Sequence, residues 1–282
     1  MSLDKRAFSA RTWRISGLAA AGLLALAMGG CARDEMTAAI YIERPIDQIY
    51  NAAWFEIGRE NWLEAGRQFD EVERQHPYSI WARRALLMSA YCYYQGNRYP
   101  EAMEAADRFI QLHPGNKDVP YAYYLKAISL YEQIQDVNRD QRTTDQALTA
   151  LQDLIQRFPD TEYARDARLK ADLTRDHLAG KEMTVGRFYL HQGEYLAAIN
   201  RFHTVVDKYQ TTSHTAEALE RLTEAYLALG VVKEAQTAAA VLGYNYPGSQ
   251  WYMDAYSLLT TENVTPSEDS ESWISKAFRV VF

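Results

Sequence analysis

Cysteine is nearly absent. Cys31 and Cys92 are the only two in 282 residues, so a disulfide framework is excluded. Glycine and proline are also scarce, at 14 and 8 residues, which argues against a turn-rich β fold and for helices. Positive charge is short: 30 Lys and Arg face 37 Asp and Glu, a formal net charge of −7. An acidic chain suits a phosphate backbone poorly, and nucleic acid is not an expected partner. The chain has no Gly-rich phosphate loop, no HExxH, no GxSxG and no CxxC, and no two of its six histidines stand at i and i+4. Neither a catalytic site nor a metal or cofactor site is therefore expected. One long apolar stretch without charge exists, Ile15 to Met28, and it is too short to span a bilayer.

That stretch has another use. Lys5, Arg6, Arg11 and Arg14 precede it, and the small residues Gly29 and Gly30 follow, the order of a secretory signal peptide. Cys31 comes next, and Met-Gly-Gly-Cys resembles a bacterial lipobox with Met28 in place of the usual Leu. The resemblance implies removal of residues 1–30 and acylation of Cys31, and Ala32 at the sorting position implies the outer membrane. The mature chain would be lipid-anchored on the periplasmic face, at about 0.8 kcal/mol per buried CH₂. Cys92 lies in an apolar helical stretch and reads as a small buried hydrophobe.

What the chain has in plenty is tyrosine, 20 residues beside 9 Phe and 6 Trp, set in a repeat. Segments ending in proline recur at Pro77, Pro114, Pro159 and Pro247; the first two are 37 residues apart, and Gln210 stands 37 before Pro247. Ala53, Ala90, Ala127 and Gly186 occupy the middle of a first helix. Ala65, Ala102, Ala147, Ala198 and Ala235 open a second, and Phe69, Ala106, Leu151, Phe202 and Ala239 follow one turn on. Small residues let paired helices approach, and the proline ends the second. The pattern predicts an all-α fold, a right-handed superhelix of five tetratricopeptide (TPR) repeats at about 46–77, 83–114, 120–159, 179–210 and 216–247, since a lone hairpin cannot bury its apolar face. A capping helix completes the domain at 259. Residues 31–45 are read as a lipidated tether. Residues 161–192 hold no proline and predict one long helix, with Gly180 as a candidate bend. Asp136, Arg139, Asp140 and Arg142 fall in an insertion, either a polar loop or a contact site. The polar run from 260 predicts a flexible tail over 260–282, whose last ten residues either rest on the final helices or meet a partner.

In such repeats the first helix lines the groove, with contacting positions three and four apart. Register places Tyr50, Trp54 and Ile57 there in the first repeat and Leu87, Tyr91 and Tyr94 in the second. Tyr124, Ile128 and Tyr131 follow in the third, with Tyr121 beside them, and Met183 and Arg187 in the fourth. The fifth supplies Glu220 and Glu224. The groove thus runs from aromatic to charged, and an exposed aromatic stripe of that size marks a binding surface.

The stretches YNAAWFEIGRENWLEA, YAYYLKAISLY, Arg139-Asp140-Gln141, GEYLAAINRF, EALERLTEAYLALG and YPGSQWY, behind a lipidation cysteine, resemble the BamD/ComL lipoprotein family of the outer-membrane β-barrel assembly (BAM) machine over about residues 31–259. Gln210, Met28 and the tail depart from the pattern. The resemblance implies a non-enzymatic scaffold that assembles with the other BAM lipoproteins. Its C-terminal repeats, where Arg187, Glu220 and Glu224 lie, would dock a POTRA domain of BamA. Its N-terminal repeats would take the aromatic C-terminal segments of unfolded outer-membrane proteins. The alternative is another outer-membrane TPR lipoprotein, an adaptor for peptidoglycan enzymes or a pilotin for a secretion pore.

Overall fold

The computed structural model describes residues 43–279, and the compact unit begins at Arg44. The expected signal peptide, the expected lipidation at Cys31 and the expected tether up to residue 42 fall outside the described residues. Among the described residues there are helices and no strands, and no helix is long and apolar enough to cross a membrane.

Among the described residues twelve helices follow one another: α1 (Ile46–Gly58), α2 (Trp62–Gln75), α3 (Ile80–Gln95), α4 (Tyr99–Leu112), α5 (Val119–Tyr131), α6 (Arg142–Arg157), α7 (Glu162–His191), α8 (Tyr195–Lys208), α9 (Thr215–Ala228), α10 (Val232–Asn245), α11 (Gln250–Thr261) and α12 (Trp273–Arg279). Each of the first ten packs on the next, as a stack of hairpins. The first helices of successive pairs also touch, α1 to α3, α3 to α5 and α5 to α7, whereas among the described residues their second helices make no comparable contact. The stack therefore curves with its first helices inside.

The punctuation is local chemistry. His76, His113, Phe158, Tyr209 and Tyr246 all end second helices with φ between −133 and −129. Four of them precede proline, which disfavours the helical region at that position; Tyr209 adopts the same turn before Gln210. Two residues after three of those prolines, Ser79, Thr161 and Ser249 cap the next helix, accepting from the backbone N–H of Ala82, Ala164 and Tyr252, which satisfies an otherwise orphaned donor. Within pairs the chain turns through left-handed residues, Gly193 at φ +75 and Gly230 at +73 among them, where glycine carries no Cβ penalty.

Packing follows the small-and-large pattern. Ala53, Ala65, Ala90, Ala102, Ala127, Ala147, Ala198 and Ala235 are fully buried, as are Phe69 and Phe202. A Cβ at Gly186 would run into the Phe202 ring, so α7 and α8 touch there backbone to ring. Each buried phenylalanine contributes roughly 2 to 3 kcal/mol of transfer free energy.

The helix α7 runs its 30 residues through Gly180 without a break. Its first half packs Ala167 and Ala171 with Leu151 and Leu154 of α6, and its second half packs Ala179 and Met183 with Phe202 of α8. Gly180 serves close approach instead of bending, since its missing Cβ would lie 3.2 Å from His214 Nε2.

The tail and two groove positions also differ from expectation. Residues 260–279 are no loose tail: α12 lies against α10 and α8, with Ile274 and Phe278 buried. Trp273 Nε1 donates to the Tyr226 hydroxyl at 3.1 Å, and Gln210 Nε2 donates to the Ala277 carbonyl at 3.0 Å. The polar run leading there is tied down as well, Gln236 Nε2 donating to Thr265 O and Asp269 N to Thr237 Oγ1. Gln210, the residue in place of proline, is thus a clasp for the tail. Ile128 and Met183 share the groove register but are buried at 4% and 0% exposure, because Ile128 packs with Leu86, Ala90 and Phe109 of the preceding pair and Met183 packs with Phe202 of α8.

Candidate binding faces

The aromatic positions form one connected face across α1, α3, α5 and the start of α7. Tyr50 meets Phe69 edge-on at 5.3 Å and Trp81 at 4.8 Å between ring centroids. Trp54 stands over Phe69 at 6.4 Å and remains 48% exposed. Ile57 is half-buried against the core of the first pair. On α3, Leu87, Tyr91 and Tyr94 are half-buried, Tyr91 edge-on to Trp62 at 6.0 Å and Tyr94 beside Tyr99 at 6.1 Å. On α5, Tyr121 and Tyr124 each lie 5.3 Å from Tyr163 of α7. The Tyr124 hydroxyl donates to Asp166 at 2.7 Å, and Lys170 lies over the Tyr131 ring.

Burial pushes the Tyr121 phenol well above its ordinary range, and burial followed by the hydrogen bond to Asp166 does the same to Tyr124. Tyr94 is raised by burial, with Glu132 adding to it. These hydroxyls stay protonated, and a half-buried phenol offers apolar area beside a hydrogen-bonding group.

Trp81, Tyr163, Asp166 and Lys170 were not singled out from the sequence. A signal was present: Pro159 and Thr161 repeat the Pro77 and Ser79 spacing, which makes the start of α7 another first helix.

At the other end, Arg187 and Glu224 belong to one ion-pair network that runs through two residues the sequence reading passed over. Arg187 Nη1 donates to both oxygens of Glu217, at 2.8 and 2.9 Å. Arg221 reaches Glu217 at 3.9 Å, Glu220 at 3.2 Å and Glu224 at 2.8 Å, and its guanidinium lies over the Trp251 ring. Glu217, Glu220, Arg221 and Glu224 recur at helical spacing, which could have grouped them. Glu220 is 3% exposed, so it sits beneath the network and presents no surface charge. Burial pushes its carboxyl up to about 7 against the pull of Arg221. Arg187 is exposed and Glu224 half-buried. Among the described residues no group of three or more His, Cys, Asp or Glu is placed to hold a metal ion.

Paired helices, small-residue contacts and an inner aromatic face define a helical-repeat protein of the tetratricopeptide type. The family model described as outer membrane lipoprotein, YfiO, matches residues 43–242. The outer membrane protein assembly factor BamD of Caulobacter vibrioides is 55% identical over 249 residues, covering 88% of this chain and 82% of that protein. BamD of Rickettsia prowazekii is 45% identical over 242 residues, covering 86% and 96%, and BamD of Neisseria meningitidis serogroup A is 32% identical over 246 residues, covering 83% and 92%. The chain belongs to the BamD family of outer membrane lipoproteins.

Proposed function

We propose that this chain is an assembly factor for outer-membrane β-barrel proteins, acting by binding and not by catalysis. Held at the membrane by acyl chains on Cys31, it receives the aromatic C-terminal segments of unfolded β-barrel proteins on the face built by α1, α3, α5 and the start of α7. Its last two pairs, through Arg187, Glu217, Arg221 and Glu224, dock a POTRA domain of BamA. The observation that carries this reading is the pair of ring clusters on the first helices, Trp54, Tyr50 and Trp81 at one end and Tyr121, Tyr124 and Tyr163 at the other, with Tyr91 packed against the cores of both the first and the second pair. An extended chain laid along them finds apolar area for alternate side chains and phenol hydroxyls for its carbonyls.

Truncating both exposed anchors, Trp54→Ala with Trp81→Ala, tests it. Interface aromatics commonly cost about 2 kcal/mol or more each on truncation, so a peptide copying a β-barrel protein's last strand should bind at least tenfold more weakly. Helical content should hold, because both rings are more than a third exposed. Undiminished affinity in the folded double variant would remove the client face from these helices.

A further inference from the structure

Beside the aromatic face lies a cleft of about 500 Å³. It shares Tyr50 and Leu87 with that face, and its other wall carries Arg83, Arg84, Lys117 and Asp118. Three cations thus meet one carboxylate, in a chain whose acids outnumber its bases by 37 to 30.

The cations are also unspent. Many arginines elsewhere in this stack are paired with carboxylates, as Arg157 is with Asp153, Arg187 with Glu217 and Arg221 with Glu224. Arg84 makes a ring contact with Trp81 at 5.8 Å, and neither Arg83 nor Lys117 has an ion-pair partner among the described residues. The charge of Arg83 is felt nearby: after burial, it is what holds the His113 imidazole below its ordinary range. Arg83 and Arg84 stand one helical turn before Leu87 on α3, which aims them at the end of the aromatic face.

We propose that this cleft reads the free C-terminal carboxylate of a peptide whose last side chain is aromatic. A guanidinium fork matches a carboxylate in two parallel hydrogen bonds, and Lys117 adds a point charge from the turn between α4 and α5. The terminal ring would rest on Trp81 and Tyr50, whose centroids are 4.8 Å apart. Continuity selects the occupant: the α-carboxylate of a C-terminal aromatic residue falls in the cleft when the ring of that residue falls on the face. The proposal rests on the client-binding reading above and adds to it which end of the client is recognised and by what.

The test uses two peptides with the sequence of a β-barrel protein's last strand ending in Phe, one with a free C-terminus and one amidated. They are titrated into the full mature chain and into Arg83→Gln with Arg84→Gln. Both arginines are exposed, and circular dichroism checks that the variant keeps its helices. For the unaltered chain, amidation should weaken binding about tenfold, the scale of a charge-assisted hydrogen-bond pair. The double variant should bind acid and amide alike, and Arg83→Lys with Arg84→Lys should fall between. Equal affinity of acid and amide for the unaltered chain overturns the carboxylate subsite and leaves the aromatic face standing. Binding of neither peptide overturns both. Competition by phosphatidylglycerol vesicles at equal strength against acid and amide would assign the cations to lipid phosphate and overturn the subsite as well.

Discussion

Glu220 gives a prediction whose sign separates two effects that usually cancel. Its carboxyl is 3% exposed on α9. Arg221 Nε approaches Oε2 to 3.2 Å, yet neither atom has a hydrogen-bond partner, so the attraction does not fully replace lost hydration. Glu217, Glu224 and Asp254 add like charge around it. Burial leads, and the carboxyl is pushed from 4.5 up to about 7. A folded-state value above the unfolded one means the native state holds this proton more tightly. The stabilising effect is therefore complete below 4.5 and drains away between 4.5 and about 7 as the unfolded chain ionises. A tenfold difference in proton affinity corresponds to about 1.4 kcal/mol, so the loss approaches about 3 kcal/mol. Glu220→Gln keeps the shape and removes the charge. It should leave stability unchanged at acidic pH and raise it at mildly alkaline pH by up to about 3 kcal/mol, or roughly 5 to 10 °C in Tm for a chain of this size. Thermal unfolding followed by far-UV circular dichroism at both pH values reads the difference, and comparing variant with parent at each pH cancels the other titrating groups. A glutamine variant less stable than its parent at alkaline pH would refute the reasoning, since Arg221 would then outweigh burial.

The remaining predictions concern the two ends of the chain. Cys31→Ala should release the protein from outer-membrane fractions into the soluble periplasmic fraction, and fractionation that finds it still membrane-bound would place the anchor elsewhere. Ile274 is fully buried beneath the C-terminal segment, so Ile274→Asp should cost several kcal/mol of docking free energy and free α12. Limited proteolysis should then cut between α11 and α12, and hydrogen exchange should quicken in α10 but not in α1–α4, because repeats couple only to their neighbours.

The parts of this molecule legible in its sequence are those decided within one hairpin. Proline and small-residue spacing is a local code: Pro77 stops a helix, Ser79 caps the next, and Ala65 meets Ala53 only a turn away. That suffices for the repeats and for the gradient from aromatic to charged. Gln210 looked like a departure from the pattern because its role depends on Ala277, 67 residues away. The tail looked flexible because its polar run carries no periodic apolar face, and what holds it is long-range: Trp273, Ile274 and Phe278 pack on α8, α9 and α10, and side-chain hydrogen bonds reach it from Gln210, Gln236 and Thr237. Glu220 has the spacing of a surface charge; what buries it is α11, whose Trp251 and Asp254 approach from another hairpin. The start of α7 was passed over as a groove wall since it lacks a second helix of its own, although its proline and cap carry the same signal as α3.

The length of α7 bears on how the two faces relate. Asp166 and Lys170 at its start bound the aromatic face, and Arg187 near its end bears the ion pair to Glu217. At 1.5 Å per residue those positions are about 30 Å apart, several Debye lengths at physiological salt, so exposed charges at one end barely affect the other directly. What joins them is a single hydrogen-bonded rod, packed on α5 and α6 at one end and on α8 at the other. Had Gly180 broken the helix, the two halves would be hinged and either face could move alone. Instead the backbone continues through it, with His214 against the bare Cα side. A displacement of the first half of α7 is therefore carried as a rigid-body motion to Arg187, where the double hydrogen bond to Glu217 either follows or breaks.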